Sequence, residues 1–541
     1  MEKIIKFYKS HKDLFTFCWL GILFYFIFFH NIGNYALMDV DETRYVAMAR
    51  DMFNTKDFMT LYLNGEYFFE KPPLYFWGEC LFFMLFGKVT EFTARFPVAL
   101  YGTLTAYLVY FVGKKIVSRE FGIVSSLVLA TSLEFIILAK FAILDIVVSF
   151  LVAFSVCFGF LTFFVQEQNK KYFWWLFYIF SGLAVMAKGI PGFVIPFGTM
   201  FFAALATKKF KELFKPIFLF PGVILFLLIV LPWHILMLNI HDPLFFNEYI
   251  MKHHVDRFLG KGDINRTEPF YFYILTILWG FFPWIFSFIA VLITKIKAIK
   301  LYTYETLSDE NRWLYLNSIC ALFILLFFSA SSTKLVTYIL PIYVPLAFIG
   351  GYIWMNYKKF MKQINISSYI LCGILTLVSF VALFTPIFLP EQLYNDILGA
   401  KWLSIVLLGL TGVAGIFLTK KEKFMGVFAI YVACMLVLSA FGTKEFFNID
   451  YKFGQNDLME FAKYARDNNY ELAAVNLGRK YSLLYYRGGH IDYIDENSIV
   501  DVIDNPKELI IIKSKNLEDY TKTLKYQVVK VGRRYTLIKG E

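Results

Sequence analysis

The segment DVDETRYVAMARDM, residues 39–52, places four acids and two arginines directly after an apolar run. Asp41 and Arg44 are three apart, as are Glu42 and Tyr45, so a helix starting here holds Asp41 and Arg44 on one face. A carboxylate can accept a proton or hold a sugar hydroxyl, and a guanidinium can grip a phosphate. The plain alternative is an amphipathic helix lying on a membrane surface with its charges in water. The next charged group is Glu70 and Lys71 in NGEYFFEKPP, set between aromatics and two prolines. A surface ion pair is the plain reading there.

Asp145 lies in LAKFAILDIVVSF, where two apolar runs turn with almost no loop between them. An ionisable group at that depth faces a polar cavity or a partner, with a structural salt bridge to Lys140 as the plain alternative. The segment FFNEYIMKHHVDRFLGKGDINRTEPF supplies Glu248, His253, His254, Asp256 and Arg257. Neutral imidazole with a carboxylate could bind a divalent metal, although a His-His pair alone carries little weight. Together with Lys334 in SSTKLVTY, the cations Arg44, Lys71 and Arg257 suit a phosphate, and the carboxylates suit a sugar hydroxyl or a proton.

The elements that position these residues are set by composition. The chain has 541 residues, 58% hydrophobic, 20% aromatic and only 18% charged, against roughly 25% charged in soluble domains. Runs such as LFTFCWLGILFYFIFFHNIG approach the ~20 apolar residues of a bilayer-crossing helix. A polytopic α-helical membrane protein is expected, since backbone groups in lipid must be satisfied within the segment. The net charge of +11 reads as topology and not as nucleic-acid binding, because the lysines cluster in short loops between apolar runs. The six cysteines show no CxxC spacing, which argues against a disulfide framework or a zinc-thiolate site. The lysines before the first run, with no small-residue cleavage site after it, read as an uncleaved anchor.

Thirteen spans are expected, including 121–139, 142–165, 172–187, 190–207 and 272–294. A further run, 72–87, is short, opens on two prolines and contains Glu79. If it does not cross, all the lysine-rich loops share one side, so it is expected to be an interfacial or re-entrant helix. On that count the loops 33–95 and 239–271, the turn at Asp145, the turn near Lys334 and the last hundred residues share the outer face. Residues 1–441 are then a transmembrane catalytic domain. Residues 442–541, where a helical run NDLMEFAKYARDNN alternates with ELAAVNL, ELIIIKS, YQVVKVG and RYTLIKG, form a small periplasmic α/β domain.

DVDETRYVAMARDM, LNGEYFFEKPPLYFW, AKFAILD, GLAVMAKGIPG, HHVDRF and SSTKLVTYILPIYVPLA, in this order, resemble the GT-C glycosyltransferases of the lipid A aminoarabinose transferase and protein mannosyltransferase superfamily. The match covers roughly residues 10–350. By that resemblance Asp41 and Asp145 are the catalytic carboxylates. Arg44, Lys71 and the Tyr338 hydroxyl, with Arg257 and Lys334 beside them, hold the donor phosphate. Glu70 and His254 would be the pair for a divalent metal such as zinc, with HxxRF favouring His254 over His253. The family often has Tyr where this chain has Phe68, so that hydroxyl is missing here.

The activity implied is inverting transfer of a sugar, an aminoarabinose-like pentose or a hexose, from undecaprenyl phosphate to an envelope acceptor. Lipid A is the leading acceptor, at the periplasmic face of the bacterial inner membrane. The partners are that lipid-linked donor, the acceptor and membrane lipids, with no nucleic acid. Protein O-glycosyl or polysaccharide transfer by the same fold is one alternative. A lipid-linked sugar transporter or flippase is another, although transporters place coupling residues near the midplane and show internal repeats, and no repeat is evident in this sequence.

Overall fold

Long apolar segments dictate most of the architecture. The computed structural model describes residues 11–256, 268–295, 304–522 and 524–541. Among the described residues, nine helices are long and apolar enough to cross a membrane: Lys12–Phe29, Glu91–Ile116, Leu144–Leu161, Pro216–His241, Asp309–Ala330, Val336–Met355, Met361–Leu383, Leu398–Lys420 and Phe424–Ile449. The other four expected spans are helical too but differ in form. Glu167–Lys188 and Ile190–Ala206 are continuous helices. The 121–139 run breaks into Arg119–Ala130 and Leu133–Leu138, because Thr131 and Ser132 turn their hydroxyls back onto the carbonyls of Leu127 and Val128. The 272–294 run breaks into Phe272–Gly280 and Ile285–Lys295 around Pro283, which has no N–H to continue the ladder.

The 72–87 run forms one helix, Leu74–Phe86, of 13 residues. At 1.5 Å per residue that is about 20 Å, short of the ~30 Å hydrocarbon core. Glu79 is fully buried in it and accepts a hydrogen bond from the Tyr75 hydroxyl at 2.6 Å. Burial pushes the Glu79 carboxyl well above the usual carboxylate range, the Tyr75 bond opposes this, and the Glu42 charge adds to it. The folded state therefore keeps a proton that the unfolded chain loses above about pH 4.3, so stability from this group falls as pH rises. Glu79→Gln should gain thermal stability over the parent, and the gap should widen as pH rises above the usual carboxylate range in melting curves of detergent-purified protein.

By their contacts the residues divide into two compact units. The first takes in Met1–Ile32, Glu70–Leu74 and Phe96–Thr443, and the second Gly33–Phe69, Tyr75–Arg95 and Lys444–Glu541. Within the first unit, polar groups staple the first apolar helix to the last. Lys140 donates to the backbone carbonyls of Ser439 at 2.5 Å and His30 at 3.2 Å. Asn31 donates to Ala440 O at 2.8 Å, and the Ser439 hydroxyl to Ile27 O at 2.5 Å. Lys140 sits in the turn between helices, and burial pushes its pKa down to about 7.

The second unit combines segments between residues 33 and 95 with the last hundred residues. Strands β1 (Tyr62–Leu63) and β2 (Glu66–Tyr67) make a short antiparallel pair. Strands β3 (Glu471–Val475), β4 (Asp492–Ile494), β5 (Glu508–Lys513), β6 (Tyr526–Val531) and β7 (Tyr535–Gly540) form one sheet in the order β4-β3-β5-β7-β6. β3 is parallel to β4 and β5, and β7 is antiparallel to β5 and β6. Alternation along the strands feeds two cores. Leu472, Ala474, Leu509, Ile511 and Leu537 pack with Phe461 and Ala462 of the Asn456–Asp467 helix, while Ala473, Ile510, Ile512 and Ile538 pack with Ile499 and Ile503. Ala47, from the helix that follows Asp39, belongs to the first of these cores.

Candidate active site

An antiparallel helical hairpin brings the start of one helix level with the end of the next. Leu144–Leu161 opens with Asp145 in its first turn, and Glu167–Lys188 closes with Lys188 in its last. The two helices are held together by the Ser155 hydroxyl, 2.8 Å from that of Ser181 and donating to Phe177 O at 2.9 Å. Each charge sits at the helix end that favours it. Their side chains form an ion pair, each 12% exposed. The chain then reverses at Gly189, whose φ of +78° and ψ of −138° only glycine adopts cheaply, so Lys188 ends its helix with little freedom to move. The sequence offers a salt bridge to Lys140 as the structural alternative for Asp145. The ammonium of Lys140 bonds the carbonyls of His30 and Ser439, and Lys188 takes the carboxylate.

This ion pair lies in the wall of a cavity of ≈ 590 Å³, in the size range of sites for small molecules and cofactors. Val148, Ile190, Val194, Ile195, Phe327 and Phe328 make the lining largely apolar, and Lys71, Asp145, Lys188, His253, Thr333 and Tyr338 are its main polar side chains. The Lys188 ammonium stands 4.3 Å from the centre of the Tyr338 ring, a cation–π contact that fixes both groups. Tyr338 itself sits in the tight turn Val336–Ile342. Lys71 donates to the carbonyl of Glu70 at 3.0 Å. Two ammonium groups, one carboxylate and an apolar remainder suit an amphipathic ligand with an anionic head.

Of the residues expected at a site, Asp145, Lys71 and Tyr338 thus come together here. Lys334 does not line the cavity: it is buried, with its ammonium donating to the carbonyls of Ser331 at 2.6 Å and Glu268 at 2.9 Å, where it holds the backbone before Tyr338. Arg257 and the side chain of His254 lie outside the described residues. The imidazole that does line the cavity belongs to His253, whose Nε2 is 3.6 Å from the Glu248 carboxylate, itself paired with Lys252. Among the described residues no group of three or more His, Cys, Asp or Glu side chains could hold a metal ion. Glu70 is the one described member of the expected pair, and no step of the chemistry below passes through a metal.

Asp41 and Arg44 belong to the second unit. They pair at 2.9 Å at the start of the helix Asp41–Thr55, Asp41 being 54% exposed, with the guanidinium also 3.1 Å from the Tyr45 hydroxyl and 5.8 Å from the Phe68 ring centre. The neighbouring acid faces the other way. Glu42 is fully buried in a two-point ion pair with Arg95, at 2.6 and 2.7 Å. Arg95 also donates to the carbonyls of Tyr35 and Ala36, both at 2.8 Å. Sequence reasoning missed Glu42–Arg95 and Lys188. The one available signal was a lysine closing an apolar helix immediately before Gly-Ile-Pro-Gly, a position that also suits the helix dipole alone.

Residues 14–241 match the family described as dolichyl-phosphate-mannose-protein mannosyltransferase. An uncharacterized protein of Aquifex aeolicus (strain VF5) is 31% identical over 352 residues, which cover 64% of this chain and 75% of that protein. The chain belongs to the GT-C superfamily of protein mannosyltransferases and aminoarabinose transferases. Another member of the superfamily, the undecaprenyl phosphate-alpha-4-amino-4-deoxy-L-arabinose arabinosyl transferase of Enterobacter sp. (strain 638), is 28% identical over 318 residues. That match covers 58% of this chain and 55% of the Enterobacter protein, so the chain spans little more than half the length of this relative. The GT-C fold is shared throughout: the crystal structure of ArnT from Cupriavidus metallidurans bound to undecaprenyl phosphate superposes with a TM-score of 0.81 over 98% of each chain, at 19% identity. The chain is accordingly a multi-helix membrane protein of GT-C architecture with a small C-terminal α/β part.

Proposed function

We propose that this chain transfers a sugar from an undecaprenyl phosphate carrier to an acceptor in the bacterial envelope, lipid A being favoured, at the periplasmic face of the inner membrane. The observation that carries the reading is the apolar cavity with Lys71 and Lys188 in its wall, in a member of this superfamily. Ammonium groups beside an apolar wall stabilise a phosphate more than the same groups do in water. The apolar lining suits the lipid next to that phosphate. The names of relatives, which specify arabinosyl transfer from undecaprenyl phosphate, support the same donor class.

In the reaction, an acceptor oxygen attacks the anomeric carbon while the bond from that carbon to the phosphate oxygen breaks. The electron pair leaves with the carrier phosphate, where Lys71 and Lys188 meet the growing charge and the Tyr338 hydroxyl donates to it. Asp145 holds Lys188 in place through their ion pair. The parts of Asp41 and Arg44 are proposed from the Asp-Glu-x-x-Arg motif: Asp41 takes the proton of a hydroxyl acceptor, and Arg44 binds phosphate. A phosphate acceptor is already anionic and needs no base.

Purified protein given labelled polyprenyl-phosphate sugar should release free carrier phosphate only when acceptor is added. Lipid A, a Ser/Thr peptide and a glycan acceptor, offered in parallel, identify the acceptor class. Sugar crossing a liposome bilayer with its phosphate bond intact would instead establish a transporter. A membrane-impermeant maleimide should label an Asp41→Cys variant from the periplasmic side of intact cells; labelling only from the cytoplasmic side of inverted vesicles would refute the orientation.

A further inference from the structure

In the segment leading into the Asp41–Thr55 helix, three successive backbone amides are each held by a side chain, two of them from the last hundred residues. Leu37 N–H donates to the Tyr486 hydroxyl at 2.9 Å, Met38 N–H to Glu42 at 2.8 Å, and Asp39 N–H to the Gln455 side-chain oxygen at 2.8 Å. Gln455 also donates its amide to Leu37 O at 2.5 Å, so one buried side chain bridges residues 37 and 39. The Asp39 carboxylate accepts from the backbone N–H of Ser482 at 2.7 Å, from the Ser482 hydroxyl at 2.6 Å and from the Thr43 hydroxyl at 2.7 Å. The first turn of the helix hangs from these residues, with Thr43 N–H on Met38 O and Arg44 N–H on Val40 O. Farther along the helix, Arg50 donates to the carbonyls of Leu484 and Tyr485, and Ala47 is buried in the core built on β3, β5 and β7.

We infer that the C-terminal α/β part is the frame that positions Asp41 and Arg44 for sugar transfer, with Asp39, Gln455 and Ser482 as positioning residues. The inference rests on the proposed transferase reading. Its physical basis is that the helix start has no side-chain cap from Val40 and takes its orientation from groups more than 400 residues away. Each of the three acts through the helix it holds. Reacting groups misplaced by about 1 Å lose on the order of 100-fold in rate, so loosening the tie should appear in turnover before it appears in folding.

The test uses the full-length chain with Gln455→Ala, Ser482→Ala and the conservative Gln455→Glu, which keeps the acceptor for Asp39 N–H and loses the donor for Leu37 O. Each is measured for kcat and donor KM, for melting temperature, and for amide hydrogen exchange in residues 37–44. Gln455→Ala is expected to lower kcat about 10- to 100-fold with donor KM little changed, to speed exchange across 37–44, and to leave melting near that of the parent. Ser482→Ala and Gln455→Glu should fall between. Faster exchange with unchanged kcat would overturn the inference, as would a loss of kcat with exchange unchanged. If the parent transfers no sugar, the transferase reading fails, and exchange alone then decides whether the frame holds the helix. Should Gln455→Ala not fold, the same comparison is made on Ser482→Ala.

Discussion

Asp145→Asn and Lys71→Ala are each expected to reduce transfer at least about 100-fold, the loss typical of removing one preorganised charge from an acyl- or phosphoryl-type site. Such a factor corresponds to about 2.7 kcal/mol of transition-state stabilisation. The two variants fail for different reasons. Lys71→Ala removes an ammonium from the cavity wall. Asp145→Asn leaves the Lys188 ammonium, 12% exposed, without its carboxylate, and frees it from its place over the Tyr338 ring. Lys71→Ala should therefore raise donor KM as well as lower kcat, while Asp145→Asn should act mainly on kcat. The measurement is carrier phosphate released per folded molecule, with folding checked by gel filtration in detergent. Turnover within about 3-fold of the parent in both variants, against the ~100-fold expected, would remove the cavity from the reaction.

Arg95→Ala is expected to destabilise the second unit by about 3–5 kcal/mol, because it strands the Glu42 carboxylate in a site with no exposure to water. The arginine also holds the carbonyls of Tyr35 and Ala36 and stacks on the Tyr35 ring at 3.9 Å, so its loss releases the chain just before residues 37–39. Glu42→Gln should cost less than Arg95→Ala, since the amide can still accept one guanidinium bond but carries no charge to meet it. The double variant Glu42→Leu with Arg95→Met should recover much of the loss, as apolar replacements of buried ion pairs often do. Differential melting of the four proteins checks the order. Equal melting of Arg95→Ala and the parent would show that this pair carries no net stability.

Much of this arrangement was legible in the sequence because it follows from local pattern. The apolar runs became helices, NDLMEFAKYARDNN became Asn456–Asp467, and four strand-like runs became β3, β5, β6 and β7. β4, at three residues, was too short to leave an alternating signal. The Asp41–Arg44 pair was legible from its spacing alone. The partner of Asp145 was not, because proximity in sequence favours Lys140 and only the helical hairpin brings Lys188 to the same level. The breaks at Thr131-Ser132 and Pro283 were written in residue types, but unbroken hydrophobicity on both sides masked them. Glu42 and Arg95 lie 53 positions apart, and the ties from Asp39 to Ser482 span 443; separations of that size leave no periodic trace in one sequence.

The staple between the two ends of the first unit has a bearing on biosynthesis. Lys140, Asn31 and the Ile27 carbonyl each bond Ser439 or Ala440, with Lys140 bridging from Ser439 to the His30 carbonyl. The ribosome must therefore finish nearly the whole hydrophobic portion before these bonds at the end of the earliest-inserted helix can close. Until then the bonds to Ser439 and Ala440 are missing, a state open to membrane quality-control proteases. A nonsense codon upstream of position 439 should thus yield rapid degradation and not a shortened, partly working product, and pulse–chase labelling of such truncations would register the difference as a half-life.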